Sequence, residues 1–436
     1  MTTEELDVYL SGLVDSGALP HVTALAATQD GKGYAFSRNG ATPCDSAALT
    51  PDSVIWLASM TKLVVAVAAL QLVEQGALAL DAPLTDAVPD LPRHQVLTGF
   101  DREGSAVIRP PSVPVTLRHL LSHTAGYAYS VWEPSLARYQ ARYDIPDIFE
   151  CRAISLSLPL VFDPGTSWAY GMGLDLVGKA IERASGLDLE AYLQAHVFGP
   201  LGMKRTSFVL DEEMRAGRAA MHQRLPDGSF NSLQFEVNQS PEFYLCGAGL
   251  YGPPAEYLRL LRALLNLGTL DGARVLRPET VQAARQNQIG SLEIEAITSL
   301  DLSSSNHVTF LPRMGNKWSL LGLRNDATEP NGRSPGSMFW CGMANCYYWV
   351  DWDSGDAGLL CTQVMPFVDD DVLSAFDALE RTVHSMSAAR RLRHRERDGP
   401  AADAAGPYCC LAAFSSRSLP SPSAAASVAC RDRGRP

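Results

Sequence analysis

"WLASMTK", residues 56–62, runs straight into "LVVAVAALQLVE", residues 63–74. The stretch sets Ser59 three residues ahead of Lys62, at the head of a long apolar run. On a helix, positions i and i+3 share one face about a turn apart, so the two side chains project together. A serine hydroxyl is a weak nucleophile and needs an adjacent base. A lysine serves as that base once desolvation or a cationic neighbour lowers its pKa. With Ser59 in the first turn, its own N–H is a free helix-end donor able to face an oxyanion. The same tetrad also reads as a helix cap followed by a snorkelling surface lysine. The rest of the chain has to decide between the two.

The chain has 436 residues, 46% hydrophobic and 19% charged. Those values suit one large folded unit or two subdomains. The formal charge of −12 argues against a nucleic-acid partner and against docking on anionic lipid. The opening "MTTEELDVYL" is acidic and has no apolar h-region, so a secretory signal is not expected. The most apolar run is interrupted by Gln71, Glu74 and Gln75 and is too short to span a bilayer. The 9 cysteines lack paired or zinc-like spacing, which points to free thiols, a cytoplasmic setting, and no metal or cofactor.

Hydrophobic patterning places the elements. Residues 1–10 read as an amphipathic helix start, and "HVTALAATQDGKGYAFSRNG" as two strands around a turn at Gly31–Gly33. Residues 60–75 predict a helix stopped by Gly76. Residues 81–115, rich in Pro and Gly, predict loop. "TLRHLLSHTAGY" predicts a helix with Thr116 as N-cap and Gly126 as stop. Helices follow in "GLDLVGKAIERASG", "DLEAYLQAHVFGPLGM" and "PAEYLRLLRALLNLG". "CYYWVDWDSGDAGLLCTQVMP" predicts a hairpin, and "VLSAFDALERTVHSM" a closing helix. The expected fold is therefore α+β. An antiparallel sheet is built from about 5–60 and 300–386, flanked by helices, with a mostly helical region, about 61–299, inserted between. From Ser387 to 436 the composition turns to Arg, Ala, Ser and Pro without apolar period, which predicts a disordered tail.

Two further segments give the tetrad its context. In "FDPGTSWAYGMGLDLVG", Tyr170 sits on a loop just before a helix, where a phenol could share or relay the serine proton. In "GSMFWCGMANCYYWVDWD", a strand edge near Gly342 and Met343 offers a second backbone N–H to an oxyanion.

Taken together, these segments resemble the serine β-lactamase and penicillin-binding-protein superfamily, in its class C β-lactamase and family VIII carboxylesterase branch. "ASMTK" resembles the S-x-x-K box. "LLSHTAGY", "VFGPLGMKRTSF" and "CGAGLYGPPAEYLRLLRALLN" follow that branch in order, over roughly residues 5–386. The resemblance implies a β-lactamase/transpeptidase-like fold with Ser59, Lys62 and Tyr170 as the catalytic set.

The departures carry information. The Tyr-x-Asn box is Tyr170-Gly171-Met172, and the Lys-Thr-Gly box is Trp340-Cys341-Gly342. No lysine is left there to grip a β-lactam carboxylate, which makes β-lactam hydrolysis unexpected. Trp-x-Gly is similar to the esterase and transesterase members. Within the branch, the chain most resembles fungal lovastatin-type acyltransferases. That likeness implies a small-molecule acyl donor, a thioester on a carrier protein or a small thiol, and a polyketide-like alcohol as acceptor. The alternatives are a carboxylesterase with the same acyl-enzyme and a silent binding module on this fold.

Other residues are weighed beside these. Trp56 and Tyr244 are placed near the site mouth, with Trp340, Gly342 and Met343 as further substrate-binding candidates. The resemblance makes His123 a structural helix-end residue rather than a triad member. Asp175 and Glu182 are expected to be solvated or to partner a helix dipole. Residues 303–312 read as a linker without chemistry, and "GAGL" at 247–250 lacks the lysine of a phosphate loop.

Overall fold

The computed structural model describes residues 1–40, 48–89, 93–309, 316–329 and 332–398. The chain divides into Met1–Ala389 and Arg390–Pro436. The main sheet and every candidate site residue belong to the first unit.

Seven strands form that sheet: β1 (His21–Thr28), β2 (Gly33–Asn39), β3 (Asn316–Trp318), β4 (Leu323–Asn325), β5 (Met338–Gly342), β6 (Cys346–Asp351) and β7 (Asp356–Cys361). Their order is β3-β4-β5-β6-β7-β1-β2, and every neighbouring pair is antiparallel. The N-terminal hairpin thus pairs onto the C-terminal strands through β1 and β7, as the sequence predicts. Helices fill the middle of the chain: α1 (Thr3–Asp15) precedes the sheet, α2 (Thr61–Glu74), α3 (Gly173–Ser185) and α4 (Pro254–Leu265) lie between, and α5 (Asp370–Asp398) closes it.

Strand β6 shows why its sequence is aromatic throughout. Side chains alternate across a strand, and both faces of this one are covered. Tyr348 meets Tyr257 of α4 at 5.4 Å, while Tyr347 and Trp349 meet Phe376 of α5 at 5.4 and 5.7 Å. Trp349 lies opposite Gly358, where a Cβ would sit 2.2 Å from the indole. Only glycine leaves room for that ring.

Helix α2 is buried on every side from Thr61 to Leu72, as a helix apolar all round must be. Gly76 ends it at a φ of 73°. No helix among the described residues is long and apolar enough to cross a membrane.

Three expectations change. The stretch 81–115 is not all loop: a helical turn, Leu84–Ala87, and a hairpin, Val96–Phe100 with Ala106–Arg109, lie in it. Two short β-branched runs around Asp101–Gly104 suffice to pair. The helix capped by Thr116, whose hydroxyl accepts from His119 N at 3.2 Å, ends at Leu121 rather than near Gly126. His123 turns left-handed there, with a φ of 58°. Helix α5 continues past Ser387 to Asp398, and the tail beyond lies outside the described residues.

Candidate active site

Ser59 sits in a 3-10 turn, Ala58–Met60, directly before α2. Ala58 holds a φ of 46°, a conformation that costs a non-glycine residue about 1–3 kcal/mol. Surrounding pairing holds the turn in place. Ile55–Trp56 pairs with Tyr251–Gly252, Leu57 N donates to Leu250 O at 2.9 Å, and Tyr257 OH donates to Met60 O at 3.0 Å. From the other side, Gly342 of β5 comes so close that a Cβ on it would lie 2.5 Å from Leu57 O. Among the described residues, no acceptor takes the backbone N–H of Ser59 or of Met343.

Lys62 is 5% exposed. Its Nζ donates to Ser59 Oγ at 3.3 Å, to Tyr129 OH at 3.0 Å and to Gly247 O at 2.7 Å. It also lies 4.5 Å from the centre of the Tyr170 ring. The long apolar helix that carries it strips its water. Burial pulls the amine down to about 7, against an opposing upward pull from Asp175. The snorkelling reading of Lys62 is thereby excluded.

Tyr170 is 5% exposed, and its hydroxyl accepts from Trp340 Nε1 at 3.0 Å. Burial raises the phenol well above its ordinary pKa, so it is neutral at physiological pH. His123 lies beneath, its ring 4.7 Å from that of Tyr170 and its Nδ1 accepting from Gly171 N at 3.5 Å. Burial, with Lys62 adding repulsion, holds this imidazole well below its ordinary pKa. His123 supports the Tyr170 loop, rather than only its own helix end. Gly171 allows the loop to approach, since a Cβ there would meet Tyr127 O at 2.3 Å.

A cavity of about 630 Å³ opens from Ser59, with Trp56, Tyr129, Phe149, Phe235 and Met343 in its wall. Trp56 both packs and lines it: Nε1 donates to Ala248 O at 2.6 Å while the ring lies 4.5 Å from Phe235. The other substrate-binding candidates stand differently. Trp340 is behind Tyr170, in the place of the box lysine, and Gly342 serves close packing. Neither lines the cavity. Tyr244 is elsewhere, its hydroxyl donating to Asp188 at 3.2 Å and its ring packed on Phe208.

Four pieces escape sequence reading. Tyr129 reaches Lys62 from the segment after "HTAG". Asp175 is not solvated but 1% exposed, and its Oδ1 accepts from Gly247 N at 2.8 Å. Burial lifts this carboxyl above its usual range. Glu182, by contrast, stays half-buried and pairs with Lys179 at 3.0 Å. The "GAGL" segment wraps the serine turn through its backbone, and Leu250 N donates to Thr61 Oγ1 at 3.0 Å. Ser303 and Ser304, from the stretch read as a linker, line the cavity. The Tyr-Ala-Tyr spacing at 127–129 was the one available signal, and a backbone carbonyl leaves none.

A half-buried serine beside a buried lysine at the head of an apolar helix, with an antiparallel strand against the serine turn, is the arrangement expected of the β-lactamase class. The chain belongs to that family: it matches Beta-lactamase over residues 9–381. It is 31% identical to the ML-236A carboxylate methylbutanoyltransferase mlcH of Penicillium citrinum over 351 residues, covering 78% of this chain and 82% of the relative. It is 37% identical to a lovastatin esterase of Penicillium rubens over 248 residues, 55% of this chain and 61% of that one. Unliganded simvastatin synthase from Aspergillus terreus superposes with a TM-score of 0.74 at 29% identity, covering 88% of this chain and 98% of that one.

Proposed function

We propose that this protein is a serine acyltransferase. It moves an acyl group from a thioester or ester, through an ester on Ser59, to the hydroxyl of a polyketide-like acceptor. The observation that carries the reading is the 3.3 Å contact between Ser59 Oγ and the desolvated Lys62 amine, at the foot of an apolar cavity. The named activity of the mlcH relative supports the transfer half.

The neutral Lys62 amine takes the Ser59 proton as Oγ attacks the donor carbonyl. Gly247 O and Tyr129 OH hold Nζ so that its lone pair need not search for the hydroxyl. The N–H groups of Ser59 and Met343 receive the oxyanion, each contributing about 2.7–4 kcal/mol to barrier lowering. The ammonium then returns its proton to the departing thiolate or alkoxide. The acceptor hydroxyl enters, gives its proton to Lys62 and attacks the Ser59 ester; the C–Oγ bond then breaks, and the Lys62 ammonium returns the proton to Ser59 Oγ. Tyr170, neutral and held by Trp340, serves as a hydrogen-bond relay rather than a phenolate base. Water in place of the alcohol gives hydrolysis, so exclusion of water decides the product.

Esterase activity is the second reading, favoured by the similarity to the lovastatin esterase. Intact-mass spectrometry with an activated ester is expected to show one acyl adduct, absent in Ser59→Ala. Added alcohols are then expected to divert the acyl group from water. Acylation persisting in Ser59→Ala overturns the mechanism, and indifference to every alcohol supports the esterase.

A further inference from the structure

The cavity has a one-sided charge. Its described lining contains two carboxylates, Asp147 and Asp301, and no lysine, arginine or histidine. Asp301 accepts from Ser303 N at 3.0 Å, from the Ser303 hydroxyl at 2.7 Å and from the Ser304 hydroxyl. These donors hold its carboxyl below the usual range, so it is anionic at neutral pH. Asp147 stands on a different segment, capping the turn Ile148–Glu150, with Oδ1 accepting from Phe149 N at 2.9 Å. Desolvation raises the Asp147 carboxyl above its usual range, against the lowering effect of the Phe149 N–H.

Lys62 lies outside the lining, and its Nζ is held by Ser59, Tyr129 and Gly247. Much of the remaining wall is apolar, and both carboxylates stand on its solvent-exposed side, where their field is felt at low salt and screened at high salt. The overall charge of −12 has the same sign.

We infer that this cavity rejects substrates bearing a free carboxylate and takes uncharged or amine-bearing ones, with Asp147 and Asp301 setting the preference. The inference rests on the acyl-enzyme reading of Ser59 and narrows its substrate class. The mlcH relative is named for a carboxylate acceptor; in this cavity such a group meets two like charges and no described countercharge.

Three p-nitrophenyl esters of one acyl chain test it, ending in a methyl ester, a primary ammonium or a carboxylate. At neutral pH and low salt, kcat/KM for the carboxylate is expected to be about tenfold or more below the methyl ester, with the ammonium at or above it. The gap is expected to narrow at high salt. It is expected to narrow again in Asp147→Asn/Asp301→Asn, whose amides keep the acceptor oxygens of both turns. A carboxylate ester turned over as well as the methyl ester overturns the inference. A gap unchanged in the double variant overturns the assignment to these two residues. Intact mass separates the layers: with the Ser59 adduct present, a preferred carboxylate overturns this inference alone. Absence of any adduct overturns the acyl-enzyme reading and this inference with it.

Discussion

Trp340 Nε1 donates to Tyr170 OH at 3.0 Å. The indole stands where β-lactamase-like enzymes carry a lysine, and it spends its single donor on the enzyme's own phenol. A ring that binds Tyr170 has no charge to offer a substrate carboxylate.

Trp340→Phe therefore acts on chemistry rather than on substrate binding. Losing a neutral hydrogen bond to a buried hydroxyl costs about 0.5–1.5 kcal/mol, which corresponds to a roughly two- to tenfold lower kcat. Steady-state kinetics with an activated ester are expected to show that fall with KM little changed. A change confined to KM would assign Trp340 to substrate contact instead.

Gly342→Ala tests the close approach of β5 to the serine turn. Its new Cβ would lie 2.5 Å from Leu57 O, and backbone has to move. The displaced groups include the two N–H donors assigned to the oxyanion, so kcat is expected to fall by about a hundredfold or more. Thermal unfolding of the variant checks that the fold persists at assay temperature.

The pH profile follows from the buried amine. In the proposed mechanism the active form is neutral Lys62, and burial places its pKa at about 7. Acylation is lost as pH falls through that value and is full above it. Single-turnover acylation across pH is expected to rise to a plateau with a midpoint near 7. A midpoint at the ordinary lysine value of about 10.4 would show a solvated amine.

Asp175→Asn moves the same midpoint. The Asp175 carboxylate favours the ammonium and pulls the Lys62 pKa upward. The amide keeps an acceptor for Gly247 N but removes the charge, so the midpoint shifts to lower pH. An unmoved midpoint would show that Asp175 is protonated at working pH and exerts no field.

Much of the site was legible in the order of residues. Ser59 and Lys62 share a face by spacing alone, the apolar run after them demands a buried helix, and Tyr170 falls on a Pro-Gly loop ahead of α3. Alternation and turn residues placed the N- and C-terminal strands of the sheet. Residues such as Tyr129 and Gly247 were not legible, because they reach Lys62 across 67 and 185 positions. Asp175 misled because the first turn of a helix is where solvated acids also sit. Tyr244 misled because nearness in sequence to "CGAGL" does not place a ring in the cavity: it packs on Phe208.

Sequence alone determined which groups are chemically able to act: a serine with a lysine one turn away, and no lysine at the third box. Those are covalent and local facts, set by spacing along one helix and one strand. Only the tertiary structure decided how they act. The protonation of Lys62 depends on how much water is removed around it. The donors proposed for the oxyanion are placed by β5 pressing against the serine turn. Both come from packing between segments far apart in the chain, and desolvation is a property of the assembled surroundings rather than of any residue in them.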